Sequence, residues 1–141
     1  MIRIHQSCLN DMKAHAQEGF PHEVVGILAG NRDENEVQEV TLLINERAET
    51  HNRYKVSALR LMRAEQELER RGLEIVGYYH SHPNHTAQYS DYDRDHALPN
   101  MSYVILSIQD GHFQNILSWR LLDDRTAMSA EFITIVHGEK Q

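Results

Sequence analysis

His80 and His82 lie two residues apart, and Asp93 follows eleven residues after the second. On an extended strand, residues two apart project from the same side. The two imidazoles are therefore expected to stand together, with Val76 and Tyr78 on their face. Side-by-side imidazoles suit a zinc ion, whose Zn–N bonds are about 2.0–2.1 Å. Asp93 returns after a loop, on the first turn of a helix, as a third ligand. Three protein ligands leave the fourth position of a tetrahedral ion open to water, which distinguishes a catalytic zinc site from a closed structural one. A carboxylate must then take a proton as the water attacks. Glu23, just before the apolar run that begins at Val24, is the candidate.

Two further residues complete the pattern. Pro83 follows His82, and Ser90 precedes Asp93 by three, giving His80-x-His82-Pro83 with Ser90-x-x-Asp93 downstream. This resembles the full JAMM motif of the MPN+ (JAB1/MPN/Mov34) zinc metalloproteases. Upstream, Pro21-x-Glu23-x-x-Gly26-x-Leu28-x-Gly30 is similar to the segment that carries that family's glutamate. The similarity spans nearly the whole chain and is nearest the small bacterial and archaeal type.

The resemblance implies one MPN (cytidine-deaminase-like) domain over residues 1–141, α/β in class, with a mixed central sheet flanked by helices. It implies Zn²⁺ on His80, His82 and Asp93, Glu23 as general base, and Ser90 as a hydroxyl that steadies the oxyanion. It implies cleavage of the peptide or isopeptide bond after the C-terminal Gly-Gly of a ubiquitin-like or sulfur-carrier protein. Two alternatives stay open: release of cysteine or another small amine from a sulfur-carrier adduct, and a non-catalytic MPN scaffold. Larger members carry insertions that grip ubiquitin; only Glu46 to Val56 could correspond to the first, and it is short.

Each residue also has a structural reading. Ser90 reads as a helix N-cap with its hydroxyl on the Asp93 amide, and Asp93 favours a helix N-terminus in any case. Glu23 alone would read as a solvated carboxylate at a strand end. Several other patterns fail. Asp91-x-Asp93-x-Asp95 begins like a calcium loop but has His96 where glycine is required. His22-Glu23 starts like a zinc-protease helix but lacks its second histidine. Cys8 and Trp119 read as core residues.

The elements that must position the site follow from periodicity and punctuation. Ile2 to His5 reads as a strand, and Cys8 to Glu18 as a helix capped by Ser7. The run Val24 to Gly30 reads as a buried strand, and Val37 to Ile44 as the next. Arg53 to Val56 suggests a short edge strand. Ser57 caps a helix ending at Gly72. Ile75 to His82 is a strand, and Ser90 starts a helix that must stop near Leu98, before Pro99. Tyr103 to Gln109 and Phe113 to Leu122 flank Asp110-Gly111 as a hairpin. Phe132 to Val136 is the last strand.

Composition sets the outer limits. The chain has 141 residues, 40% hydrophobic and 25% charged, the profile of a globular domain. Fourteen basic against 21 acidic residues leave a net charge of −7. That balance opposes general phosphate-backbone binding, so no nucleic-acid partner is expected. No apolar run approaches the ~18 residues of a membrane span. The single cysteine permits no internal disulfide, so a cytoplasmic setting is expected.

Overall fold

The computed structural model describes residues 1–43, 45 and 57–138. The expected Arg53–Val56 strand and the Glu46–Val56 stretch lie outside them. Strand β1 (Ile2–His5) leads into helix α1 (Gln6–Gly19), β2 (Val25–Asn31) and β3 (Glu36–Leu43). Helix α2 (Ala58–Arg70), β4 (Glu74–Pro83) and the short α3 (Asp91–His96) follow. The chain ends with β5 (Ser102–Gln109), β6 (His112–Leu121), β7 (Met128–Glu131) and β8 (Ile133–Val136).

The eight strands among the described residues form one sheet, in the order β7-β6-β5-β4-β2-β3-β1-β8. The β1–β3, β1–β8 and β4–β5 pairs are parallel and the others antiparallel, so the sheet is mixed. β7 and β8 hold opposite ends of that order, yet only Phe132 separates them in the chain. Two residues flanking a single one cannot be more than about 7 Å apart. The sheet must therefore curl until its ends meet, and the Phe132 carbonyl, at that junction, accepts from the Ile2 amide at 2.8 Å.

Each face has its own cover. Cys8, Leu9, Met12 and Ala16 of α1 bury against Leu28, Val37, Tyr79, Val104 and Leu106. Leu68 of α2 packs on Ile27, Ala29 and Ile75 of the other face, with Leu61 and Ala64 beside it. Burying such side chains stabilises the fold by roughly 1.5–3 kcal/mol each. The expected α/β class, with a mixed sheet between helices, is what the chain adopts.

Two local expectations need correction, and one strand has no counterpart among them. Ser7 does not cap α1; His5 occupies that position without a capping hydrogen bond from its side chain, and the helix starts at Gln6. The expected last strand, Phe132 to Val136, is β8; β7 is an additional strand before it, and the chain changes edges between the two at Phe132. Val76 does not share a face with Tyr78. The register between β2 and β4 shifts at Leu28/Ala29, from Leu28↔Gly77 to Ala29↔Ile75. That bulge inverts the alternation, so Val76 joins Tyr79 in the α1-side core while Ile75 and Tyr78 face α2.

Candidate metal centre

β4 carries both histidines near its C-terminal end. His80 pairs with Val25 of β2 and with Ile105 of β5, and His82 with Ser107. A central position on two ladders fixes the strand, and alternation then sends both imidazoles to the Tyr78 side. Their Nε2 atoms are 3.2 Å apart.

Asp93 reaches the same point from α3. Ser90 is the N-cap: its Oγ accepts from the Asp93 amide at 3.1 Å, while Asp93 Oδ2 accepts from the Ser90 amide at 2.9 Å. This reciprocal capping box locks the first turn of a six-residue helix that has little propensity to form alone. It also aims the carboxylate. Asp93 Oδ1 is 3.2 Å from His80 Nε2, and Oδ2 is 3.2 Å from His82 Nε2. The cap and the catalytic reading of Ser90 are compatible: its hydroxyl oxygen accepts from Asp93, and its own O–H proton can still donate.

The loop between β4 and α3 is tied down by main-chain contacts. The Thr86 carbonyl lies 2.8 Å from His82 Nδ1. The His85 carbonyl accepts from Ser107 Oγ at 2.6 Å, and Trp119 Nε1 donates to the Ala87 carbonyl at 3.0 Å. Trp119 is buried, as expected of a core residue, and its ring meets Tyr89 edge-on at 5.0 Å.

Glu23 enters from the residues just before β2 and is 4% exposed. One of its carboxylate oxygens and one ring nitrogen each from His80 and His82 lie within 4.8 Å of one another. Its main-chain carbonyl accepts from Asn45 Nδ2 at 2.9 Å. Gly26, three residues on, is required by packing: a Cβ there would meet the Tyr79 ring. Tyr79 lies fully buried against it, its hydroxyl 2.6 Å from His15 Nδ1.

Electrostatics bind the cluster together. Burial of Asp93 disfavours its charged form, but His80 and His82 outweigh that and hold the carboxyl below the usual range. For His80, complete burial dominates and lowers its pKa despite Asp93. Burial also opposes charge on His82, yet the hydrogen bond and charge of Asp93, with the Thr86 carbonyl, raise it above the usual value.

The donor set fits zinc. A tetrahedron with arms of about 2.0–2.1 Å has edges of about 3.3–3.4 Å; the two imidazole Nε2 atoms are 3.2 Å apart, and each lies 3.2 Å from one of the two carboxylate oxygens of Asp93. Two imidazoles and a carboxylate are ligands this ion accepts. The sequence-derived residues Glu23, His80, His82, Ser90 and Asp93 are thus brought to one place. The Thr86 carbonyl and Asn45 were not anticipated; a carbonyl carries no sequence signal, and nothing near Asn45 marks it.

Residues 5–122 match the family model for prokaryotic homologs of the JAB domain. The chain belongs to that family. It is 34% identical over 105 residues to a probable TtuB-protein conjugate cleaving protease of Thermus thermophilus, covering 74% of this chain and 69% of that one. It is 34% identical over 99 residues to a desampylase of Haloferax volcanii, covering 67% of this chain and 71% of that one. A solution structure of a Desulfitobacterium hafniense protein superposes with a TM-score of 0.85 at 25% identity, over 98% of this chain and 94% of the other. The crystal structure of a JAB1/MPN domain protein from Archaeoglobus fulgidus gives 0.62 at 14% identity, over 96% and 97%. The fold is therefore that of the JAB1/MPN domain.

Proposed function

We propose that this protein is a zinc metallopeptidase that hydrolyses the peptide or isopeptide bond after the C-terminal Gly-Gly of a ubiquitin-like or sulfur-carrier protein. The observation that carries it is the convergence of two imidazole nitrogens and a carboxylate at mutual separations of 3.2 Å, with Glu23 beside them. The substrate class is supported by the family resemblance and by two relatives named as a conjugate-cleaving protease and a desampylase. Residues 1–141 would act as one domain, in the cytoplasm.

In this mechanism His80, His82 and Asp93 would hold a zinc ion. When bound, that ion would polarise the scissile carbonyl and lower the pKa of water to about 7. Glu23 accepts a proton from the attacking water and delivers it to the leaving nitrogen, so the amine departs neutral. The Ser90 hydroxyl donates to the oxygen that gains negative charge as the carbonyl carbon becomes tetrahedral. The buried setting of Glu23 and Asp93 keeps these interactions in a low-dielectric environment, where they are stronger than in water.

The test is a series of fusions in which a sulfur-carrier or ubiquitin-like protein is joined to a reporter amine through tails ending Gly-Gly, Gly-Ala or Ala-Gly. Mass spectrometry should find one cut, after Gly-Gly, with the other tails cleaved poorly. Equal cleavage of all three would reject the tail specificity. Hydrolysis of a small cysteine amide with no cleavage of Gly-Gly fusions would favour a small-adduct hydrolase.

A further inference from the structure

We infer that Ser81, the residue between the two imidazole ligands, is a positioning residue for Glu23. The inference rests on the proposed role of Glu23 and goes beyond it to what aims that carboxylate. Ser81 projects to the opposite side of β4 from His80 and His82 and is fully buried. It therefore acts through its neighbours.

Its contacts are specific. The Ser81 amide donates to the Val24 carbonyl at 3.0 Å. In a regular antiparallel rung the return bond would run from the Val24 amide to the Ser81 carbonyl. Here the Val24 amide donates to Ser81 Oγ, at 2.9 Å. A side chain closes half of the last rung, and β2 proper starts one residue later, at Val25.

The peptide group gripped in this way is the one joining Glu23 to Val24. Its N–H is held by Ser81, and its C=O, the Glu23 carbonyl, accepts from Asn45 Nδ2 at 2.9 Å. A peptide unit is planar, so holding both of its polar ends fixes its orientation and with it the Cα of Glu23. Because Ser81 sits between His80 and His82 on one strand, the base and two ligands move as a unit. Without the hydroxyl, the Glu23–Val24 peptide loses the hold on its N–H and keeps only that of Asn45 on its C=O, while the ladder from Val25 onward stays paired.

The experiment compares wild type, Ser81→Ala and Ser81→Thr, with zinc as the probe. Three quantities are read: zinc affinity, exchange of the Val24 amide by NMR, and the response of the ¹³C-labelled Glu23 carboxyl to added zinc. Ser81→Ala should bind zinc with wild-type affinity, exchange the Val24 amide faster, and lose most of the Glu23 response. On a cleavable fusion its kcat should fall about 10–100-fold with KM unchanged, the scale expected of a displaced catalytic group. Ser81→Thr keeps an acceptor and should behave as wild type.

Wild-type kcat in Ser81→Ala despite fast Val24 exchange would overturn the inference, as would a loss of activity explained by lost zinc. If Ser81→Ala does not fold, Ser81→Thr decides: reduced kcat with zinc bound counts against it, and wild-type kcat supports it. If wild type cleaves no amide bond, the proposed activity fails, and the Glu23 resonance alone judges Ser81. An unchanged response in a folded variant then overturns the positioning role.

Discussion

His82 Nδ1 lies 2.8 Å from the Thr86 carbonyl oxygen. A carbonyl only accepts, so Nδ1 must carry the hydrogen, and the neutral ring presents its lone pair at Nε2. That is the nitrogen facing His80 and Asp93. Outer contacts of this kind set the tautomer and ring angle of a metal-binding histidine, and losing one typically costs 10–100-fold in metal affinity. His82→Ala removes the ligand itself. Metal analysis should find about one zinc per wild-type chain and a small fraction of that in the variant. Full occupancy in His82→Ala would dismiss the proposed ligand set.

Glu23→Gln is nearly isosteric and leaves the main-chain contacts of residue 23 in place. The variant should keep its zinc and its thermal midpoint while hydrolysis falls about 10²–10⁴-fold, the usual contribution of a positioned acid–base group. Turnover at the wild-type rate would mean that another group carries the proton.

Ser90→Ala should show two losses at once, because the hydroxyl can serve two purposes. As an acceptor it caps α3 through the Asp93 amide, and removing a cap costs about 0.5–2 kcal/mol. As a donor it is proposed to stabilise the oxyanion, and losing one such donor costs about 10²–10³ in kcat. Unfolding curves and steady-state rates separate the two. A stability loss with unchanged kcat would leave Ser90 a cap alone.

The sequence made side-chain chemistry legible and main-chain chemistry invisible. His80, His82 and Asp93 announce themselves by residue type and spacing, and the cap at Ser90 by its place before an acidic first turn. The Thr86 carbonyl could belong to any residue, so no pattern points to it. Ser81 reads as filler between two histidines until the Val24 amide is seen on its hydroxyl. Alternation placed the two imidazoles correctly because no register shift separates them. It misplaced Val76, because a bulge lies between that residue and Tyr78. The placement of β7 at the opposite edge from β8 follows from closure of the whole sheet, which no local window contains.

Far from the metal centre, the buried pair His5 and Glu36 joins β1 to β3. His5 Nε2 is 2.8 Å from Glu36 Oε2, with the two side chains 8% and 14% exposed. The hydrogen bond from His5 outweighs the burial of Glu36 and holds its carboxyl below the usual 4.5. A folded value below the unfolded one means that the unfolded chain takes up the proton first as pH falls. The stability supplied by Glu36 is therefore complete above about pH 4.5 and is lost as pH drops through the folded value. A hydrogen bond to a charged partner contributes about 1.5–3 kcal/mol and a neutral one about 0.5–1.5, so Glu36→Gln should cost about 1 kcal/mol at neutral pH. The variant has no proton to gain, so its stability should fall less steeply than wild type in acid. Urea unfolding at pH 7 and through the range below pH 5 would measure both effects. Parallel pH profiles for the two proteins would show that Glu36 contributes nothing to acid sensitivity.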